Sequence, residues 1–295
     1  MDRNSKKAWL YLLPALVLLG LFLIYPLVDV LIYSVEECYN FASQTYQGVG
    51  LYNYSYVLHD PYFLQAVENT FVLVIITVPT STVLAIVIAT ALSSIKPLRQ
   101  LFQTIYFLPY VTNTLAVGLV FMVLFQRTEY TDGLINLMLA WFGAGPIDFI
   151  NGPHWAKMFV LCFYTIWVVL PFKILVLTSA LASVNDEYYK AARVDGTSRT
   201  RTFFRITLPQ LKSVSLVIVF IHVIWTAINF DFIWVMTEGG PNYATETLPI
   251  MIYRYSMKKF NVGAASALST MMFTVMTILF VFYYRKREKI NSQAG

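Results

Sequence analysis

Charge is what this chain has least of. Only 13% of its 295 residues are Asp, Glu, Lys or Arg, while 58% are hydrophobic. A soluble domain carries about 25% charged residues. So little charge cannot cover a water-exposed surface, which points away from a soluble globular protein and toward an integral membrane protein. The mean hydropathy of +0.61 agrees. Cysteine is scarce too: Cys38 and Cys162 lie far apart without CxxC spacing, so neither a disulfide nor a metal centre is expected. Cys162 sits in an apolar run and reads as a small core residue.

Catalytic motifs are also missing. There is no GxxxxGK[ST] phosphate loop, so the chain is not expected to hydrolyse a nucleotide itself. HExxH, GxSxG and GxGxxG are absent as well. The three histidines, His59, His154 and His222, are scattered. His222, alone on an apolar helix, reads as a side chain hydrogen-bonded to a neighbouring helix rather than as a metal ligand. No enzymatic activity is expected: such a chain acts by packing, moving and binding.

What the sequence does hold is long apolar runs. About 20 apolar residues cross the hydrocarbon core as a helix, and six segments qualify: approximately 9–33, 66–93, 101–125, 156–182, 211–236 and 263–284. The runs are continuous, so helices rather than barrel strands are expected. The first run exceeds the roughly 7–15-residue apolar region of a signal peptide and lacks a following A-x-A-like site, so it reads as a retained span. The fold class expected is all-α, a single six-span transmembrane domain over 1–295.

The 21 Lys and Arg give a formal charge of +5. With the N-terminus inside, fifteen of them fall on inside segments: Arg3, Lys6 and Lys7; Lys96 and Arg99; six between Lys190 and Lys212; and Arg285, Lys286, Arg287 and Lys289. The first outer loop, 34–65, has none. The positive-inside rule then puts both termini in the cytoplasm, and the basic excess requires no nucleic acid. The outer segments read as lids: 127–155 carries GLINLMLAWFG, too short to cross, and 237–262 carries the turn signal TEGGP. Lys173 and Asp231 fall within spans, where charges are functional by default. Lys173 either snorkels to the inner headgroups or faces a cavity, which would suit an anionic solute such as glycerol phosphate. Asp231 argues against an anion.

The segment between spans four and five is the most informative. Asn185 or Asp186 can cap a short helix over 187–195, with Glu187 in its favourable first turn and Gly196 as its stop. Ala191 and Ala192 would present a small, closely approachable surface. Thr197 or Ser198 caps a second short helix, and Leu208-Pro209 restarts the chain into span five. Tyr188, Tyr189, Phe203 and Phe204 beside small residues suggest a docking surface more than a solvated basic loop.

Lys190-Ala191-Ala192, three residues, Gly196, nine residues, then Ile206-Thr207-Leu208-Pro209 resembles the EAA loop of binding-protein-dependent ABC importer permeases. Lys190 stands where that family usually has Glu, and Glu187 is one turn away. VMTEGGPNYATETLPIMIYR with FNVGAASALS, and FLPYVTNTLAVGLVF, resemble the maltose-type, carbohydrate-uptake branch. The resemblance implies a permease of a bacterial or archaeal cell (inner) membrane. It implies a second, related permease as heterodimer partner, two copies of an ABC ATPase, and an extracellular or periplasmic solute-binding protein. The ATPase would dock on Glu187, Lys190, Ala191, Ala192, Asp195, Gly196, Ile206, Leu208 and Pro209. No cofactor is expected in this chain; ATP and Mg would be held by the ATPase.

A sugar site needs aromatic faces beside amide and hydroxyl groups, contributed by several helices near mid-membrane. Span three offers Tyr110 and Thr114, spaced i, i+4 on one face. Span four offers Thr165, Val168, Val169 and Phe172, and span five Trp225, Thr226 and Asn229. The shared LPY, W-x-x-x-P and T-x-GGP frames imply the same positions. Val168 and Val169 read as packing residues. A stand-alone secondary transporter would call for inverted repeats and ion-coordinating mid-membrane carboxylates, and only Asp231 qualifies. A scaffold without transport would not require the GGP loop or polar groups aligned across three spans.

Overall fold

The computed structural model describes residues 3–40, 43–93 and 99–292. Lys96, among the inside charges expected above, lies outside them. The elements begin with α1 (Arg3–Leu19), α2 (Tyr25–Val35), β1 (Glu36–Glu37), β2 (Gly48–Val49) and α3 (Tyr52–Leu58). Next come α4 (Phe63–Ser93), α5 (Arg99–Val111), α6 (Thr114–Phe125), α7 (Leu134–Trp141) and α8 (His154–Ala182). The chain continues through α9 (Asp186–Val194), α10 (Arg199–Thr202), α11 (Leu208–Ala227) and α12 (Asp231–Thr237), and ends with α13 (Leu248–Tyr253) and α14 (Val262–Ser292). Among the described residues, five helical stretches are long and apolar enough to span: Tyr11–Val35, Phe63–Ser93, His154–Ala182, Arg199–Ala227 and Val262–Glu288. Among the described residues the fold is all-α apart from one two-residue antiparallel pairing, Glu36 with Val49 and Glu37 with Gly48, and the isolated bridges Asn40–Thr45 and Arg127–Asp132.

The chain forms two compact units. The first comprises 1–63 and 251–277. Here α2 ends at the short pairing, and Asn53 satisfies its last carbonyls. Its Nδ2 donates to Tyr33 O (3.3 Å), Ser34 O (3.2 Å) and Glu36 O (2.9 Å). A buried helix end without such partners would be costly. Tyr255 donates to Asp60 (2.8 Å), and Lys259 lies 3.6 Å from the same carboxylate.

The second unit comprises 64–250 and 278–295 and holds both candidate sites. Its core gathers Phe121, Phe125, Phe149, Tyr164 and Phe232, with the buried Cys162 beside them. A second cluster joins Ala85 and Ala89 of α4 to Ile174 and Leu177 of α8 and Leu211 of α11. The polar residues buried on α4 are affordable because their hydroxyls bond back one turn, Thr70 to Ala66 O, Thr77 to Leu73 O and Thr82 to Val78 O.

Two spans differ from expectation. Span three, expected as one helix over 101–125, is broken: Thr104–Val111 and Thr114–Phe125 meet at 98°. Asn113 takes extended backbone (φ −61°, ψ 123°) and its side chain accepts from Leu115 N–H (2.9 Å) and Ala116 N–H (3.2 Å). Asn favours this cap geometry over a helix interior, and Pro109 weakens the turn before it. Span five, expected at 211–236, is helical from Arg199 and stops at Ala227. No break occurs at Leu208-Pro209. A π turn over Phe203–Thr207, with Leu208 N–H bonded to Phe203 O, carries the helix past the proline, a widening that relieves its clash with the preceding turn. The chain then breaks at 228–230 before α12.

Candidate functional site

Five helices and the 228–230 break surround a cavity of about 190 Å³. From α5 comes Tyr110; from α6, Thr114; from α8, Tyr164, Thr165, Val168 and Val169. From α11 come His222, Trp225 and Thr226, followed by Asn229 in the break and Asp231 at the start of α12. Tyr110 and Thr114 therefore do meet the same space, but not as an i, i+4 pair on one helix, because the 98° bend falls between them. Phe172, expected as a ligand residue, is not in the lining. It stacks on Tyr110 (ring centroids 5.6 Å apart, 17° between planes) and packs against Trp225 at 5.3 Å. Three rings from α5, α8 and α11 thus form one continuous aromatic wall, with Phe172 as the middle piece.

Polar groups fill the rest of the wall. Thr165 is satisfied within its own helix by Leu161 O (2.8 Å). Two buried atoms of cavity-lining residues on α11 are not: His222 Nε2 and Thr226 Oγ1 have no hydrogen-bond partner among the described protein groups, as is also true of Ser215 Oγ earlier in the helix. His222 and Thr226 are 2% and 3% exposed and four positions apart, hence on one helix face. Buried polar atoms are rarely left unpaired, and this helix face borders the cavity. Sequence reasoning singled out neither His222 nor Tyr164 as a site residue. The signal for His222 was its i, i+4 spacing to Thr226, which is visible in the sequence.

Lys173 neither lines the cavity nor snorkels. It is fully buried, and its Nζ donates to Ser81 Oγ (2.8 Å), Thr82 Oγ1 (2.8 Å) and Val78 O (3.3 Å) on α4. Asp231, by contrast, does border the cavity.

The segment between α8 and α11 folds as its caps dictate. Asn185 Oδ1 accepts from Glu187 N–H (2.9 Å) to start α9, and Ser198 Oγ accepts from Arg201 N–H (3.3 Å) to start α10. At the end of α9, Thr197 N–H bonds to Ala192 O (2.9 Å) and Gly196 N–H to Arg193 O (3.2 Å). This paired closure needs a left-handed residue, and Gly196 supplies it at φ +64°. Glu187, Lys190, Ala191, Asp195, Gly196 and Pro209 are exposed; Ile206 and Leu208 are half-buried. Ala192 is not presented as expected: it is 7% exposed, packed inward while Ala191 faces out. Tyr189 contacts Thr207 (Oη to Oγ1, 3.3 Å), tying α9 to the π turn.

A bundle of apolar helices around an aromatic and polar cavity, with an exposed, capped basic segment between two spans, defines a membrane permease. The chain belongs to the family of the binding-protein-dependent transport system inner membrane component, which matches residues 81–290. It is a multi-pass membrane protein of that transport class. It is similar to the lactose transport system permease protein LacF of Rhizobium radiobacter, 30% identical over 292 residues, spanning 96% of this chain and 95% of that protein. It is also similar to the multiple sugar-binding transport system permease protein MsmF of Streptococcus mutans, 29% identical over 291 residues, spanning 98% and 97%. A crystal structure of a bacterial ABC transporter involved in the import of the acidic polysaccharide alginate shares the fold, with TM-score 0.85 at 21% identity over 98% of both chains.

Proposed function

We propose that this chain is the permease subunit of an ATP-driven importer that carries a sugar or oligosaccharide into the cell by alternating access. The carrying observation is the cavity, whose lining combines the rings of Tyr110 and Trp225 with His222 and Thr226, residues whose Nε2 and Oγ1 are unpartnered. Aromatic faces suit the C–H surface of a sugar ring, and unpaired polar atoms suit its hydroxyls. Among the described residues no Lys or Arg borders the cavity and Asp231 does, which favours a neutral, hydroxyl-rich ligand over an anion. The names of the similar permeases, for lactose and for multiple sugars, support the same class.

On this reading both termini are cytoplasmic, and a solute-binding protein delivers the sugar from outside. A second, related permease completes the pathway. The cavity of about 190 Å³ falls below the ~300–1,000 Å³ typical of enclosed ligand sites, as suits half of a shared site. Two ATPase copies hold ATP and Mg, hydrolyse the nucleotide and push on 185–209. The test is uptake of radiolabelled lactose, trehalose and maltose by the reconstituted importer. Tyr110→Ala and Asn229→Ala each lower uptake by about tenfold or more, a loss of roughly 1.4 kcal/mol or greater, with assembly unchanged. Unaltered uptake in both variants refutes the site.

A further inference from the structure

Behind the cavity wall, Lys173, Ser81 and His222 form a connected group whose proton arrangement can be worked out. The Lys173 ammonium has three protons and faces three oxygens: Ser81 Oγ, Thr82 Oγ1 and Val78 O. Thr82 directs its own hydroxyl to Val78 O (2.6 Å), so its oxygen is free to accept. Ser81 directs its hydroxyl to Thr77 O (2.5 Å). A serine oxygen has one proton and two lone pairs. With the proton given to Thr77 and one lone pair taken by Lys173, only an acceptor position remains. That position faces His222 Nδ1 at 3.3 Å. Two acceptors cannot bond, so Nδ1 must carry the hydrogen.

The partner of one ring nitrogen decides the state of the other. A neutral imidazole protonated on Nδ1 has a bare Nε2, and Nε2 is the atom left unpartnered where His222 borders the cavity. We propose that Lys173, acting through Ser81, is a positioning residue that holds His222 in the Nδ1–H tautomer, so that the cavity wall offers a hydrogen-bond acceptor at this point. The relevance to ligand choice rests on the reading of the cavity as the sugar site; the tautomer itself does not. With the acceptor fixed, a ligand hydroxyl must arrive here as donor. A group that only accepts, such as a carboxylate, meets a lone pair. The buried lysine thereby acts on a ligand it does not touch.

The test uses the intact importer in lipid nanodiscs, without sugar, with 15N-labelled histidine. Solid-state NMR reads which ring nitrogen carries the proton, and the His222 signals are identified by their loss in His222→Gln. The expected wild-type result is a protonated Nδ1 and a bare Nε2. Ser81→Ala and Lys173→Met release the constraint, so the proton shifts wholly or partly to Nε2. Thr82→Val, which removes a Lys173 contact but not the bond to Ser81, leaves Nδ1 protonated. A wild-type proton on Nε2 overturns the proposal whether or not any variant folds. So does a Ser81→Ala protein that keeps Nδ1–H, or a Thr82→Val protein that loses it as fully as Ser81→Ala. If the tautomer is as stated while Tyr110→Ala and Asn229→Ala still take up sugar, the sugar-site reading alone fails.

Discussion

Gly118 offers a perturbation whose size can be worked from the packing of α6 against α12. A Cβ at this position would lie 2.8 Å from Val235 Cγ1, 3.3 Å from Val235 Cβ and 3.7 Å from Phe232 Cδ2. Carbon atoms in contact settle at about 3.5–4.0 Å, so the shortest approach is too close by roughly 0.7 Å or more. Val235 cannot easily rotate away, because a β-branched residue in a helix is nearly confined to one rotamer. Phe232 is fully buried and leaves no slack behind it. Hence α12 itself must move. Overpacking of this kind costs about 1–3 kcal/mol, against a gain of about 0.5–1 kcal/mol for replacing a mid-helix glycine with alanine. Gly118→Ala should therefore destabilise by about 0–2 kcal/mol. In a Val235→Ala background, where both γ carbons are gone and only the 3.3 Å approach to the residue-235 Cβ remains, the same change should cost little or nothing, giving a favourable coupling of about 1–2 kcal/mol. Thermal unfolding of the solubilised complex reads this as a difference of about 2–6 °C between backgrounds. Uptake should fall in Gly118→Ala, since α6 carries Thr114 and α12 carries Asp231 at the cavity. An equal cost in both backgrounds refutes the packing argument.

Other consequences follow from single residues. Asn69, 1% exposed, donates to Ala244 O (3.0 Å) and Glu246 O (2.7 Å), and its Oδ1 is 2.8 Å from His154 Nε2. Asn69→Leu strips a partner from each, at about 1–3 kcal/mol per orphaned buried group; faster proteolysis within 238–247 and a lower unfolding temperature are expected, and an unchanged cleavage rate speaks against it. At Gly196 a left-handed valine costs about 1–2 kcal/mol while asparagine tolerates that conformation better. Gly196→Val should weaken copurification with the ATPase and coupled ATP turnover, and Gly196→Asn should retain most of both. Equal behaviour of the two would show that the left-handed turn does not matter.

The elements that were legible in the sequence are those governed by local rules. Asn185 and Gly196 bracket α9 as capping chemistry requires, and the apolar runs of α4, α8 and α14 are too long to be anything but spans. What was not legible depended on partners distant in the chain. Asn113 fell inside the 101–125 run without a reading of its own, because nothing local says that its amide will cap a new helix. Lys173 read as a cavity or snorkelling residue because its three acceptors lie on α4, more than ninety positions earlier. Phe172 was read as a ligand residue beside Tyr110 and Trp225; it touches both rings but is not in the cavity lining. Ala192 illustrates the limit of a motif: its spacing carried no sign that the side chain is buried.

The bend between α5 and α6 also changes the arithmetic of insertion. Thirteen and twelve residues correspond to arms of about 20 and 18 Å at 1.5 Å per residue. Turned through 98°, they reach only about 25 Å end to end, short of the roughly 30 Å hydrocarbon thickness that a straight helix of that length would clear. Leu115, Leu119, Val120 and Val123 nonetheless remain exposed on α6. An arm that does not reach both headgroup layers makes a poor boundary with lipid, since the bilayer would have to thin around it. A neighbouring protein surface has no such thickness to match. The element that shapes the cavity is thus also the one that, taken as a single span, falls short of the hydrocarbon thickness.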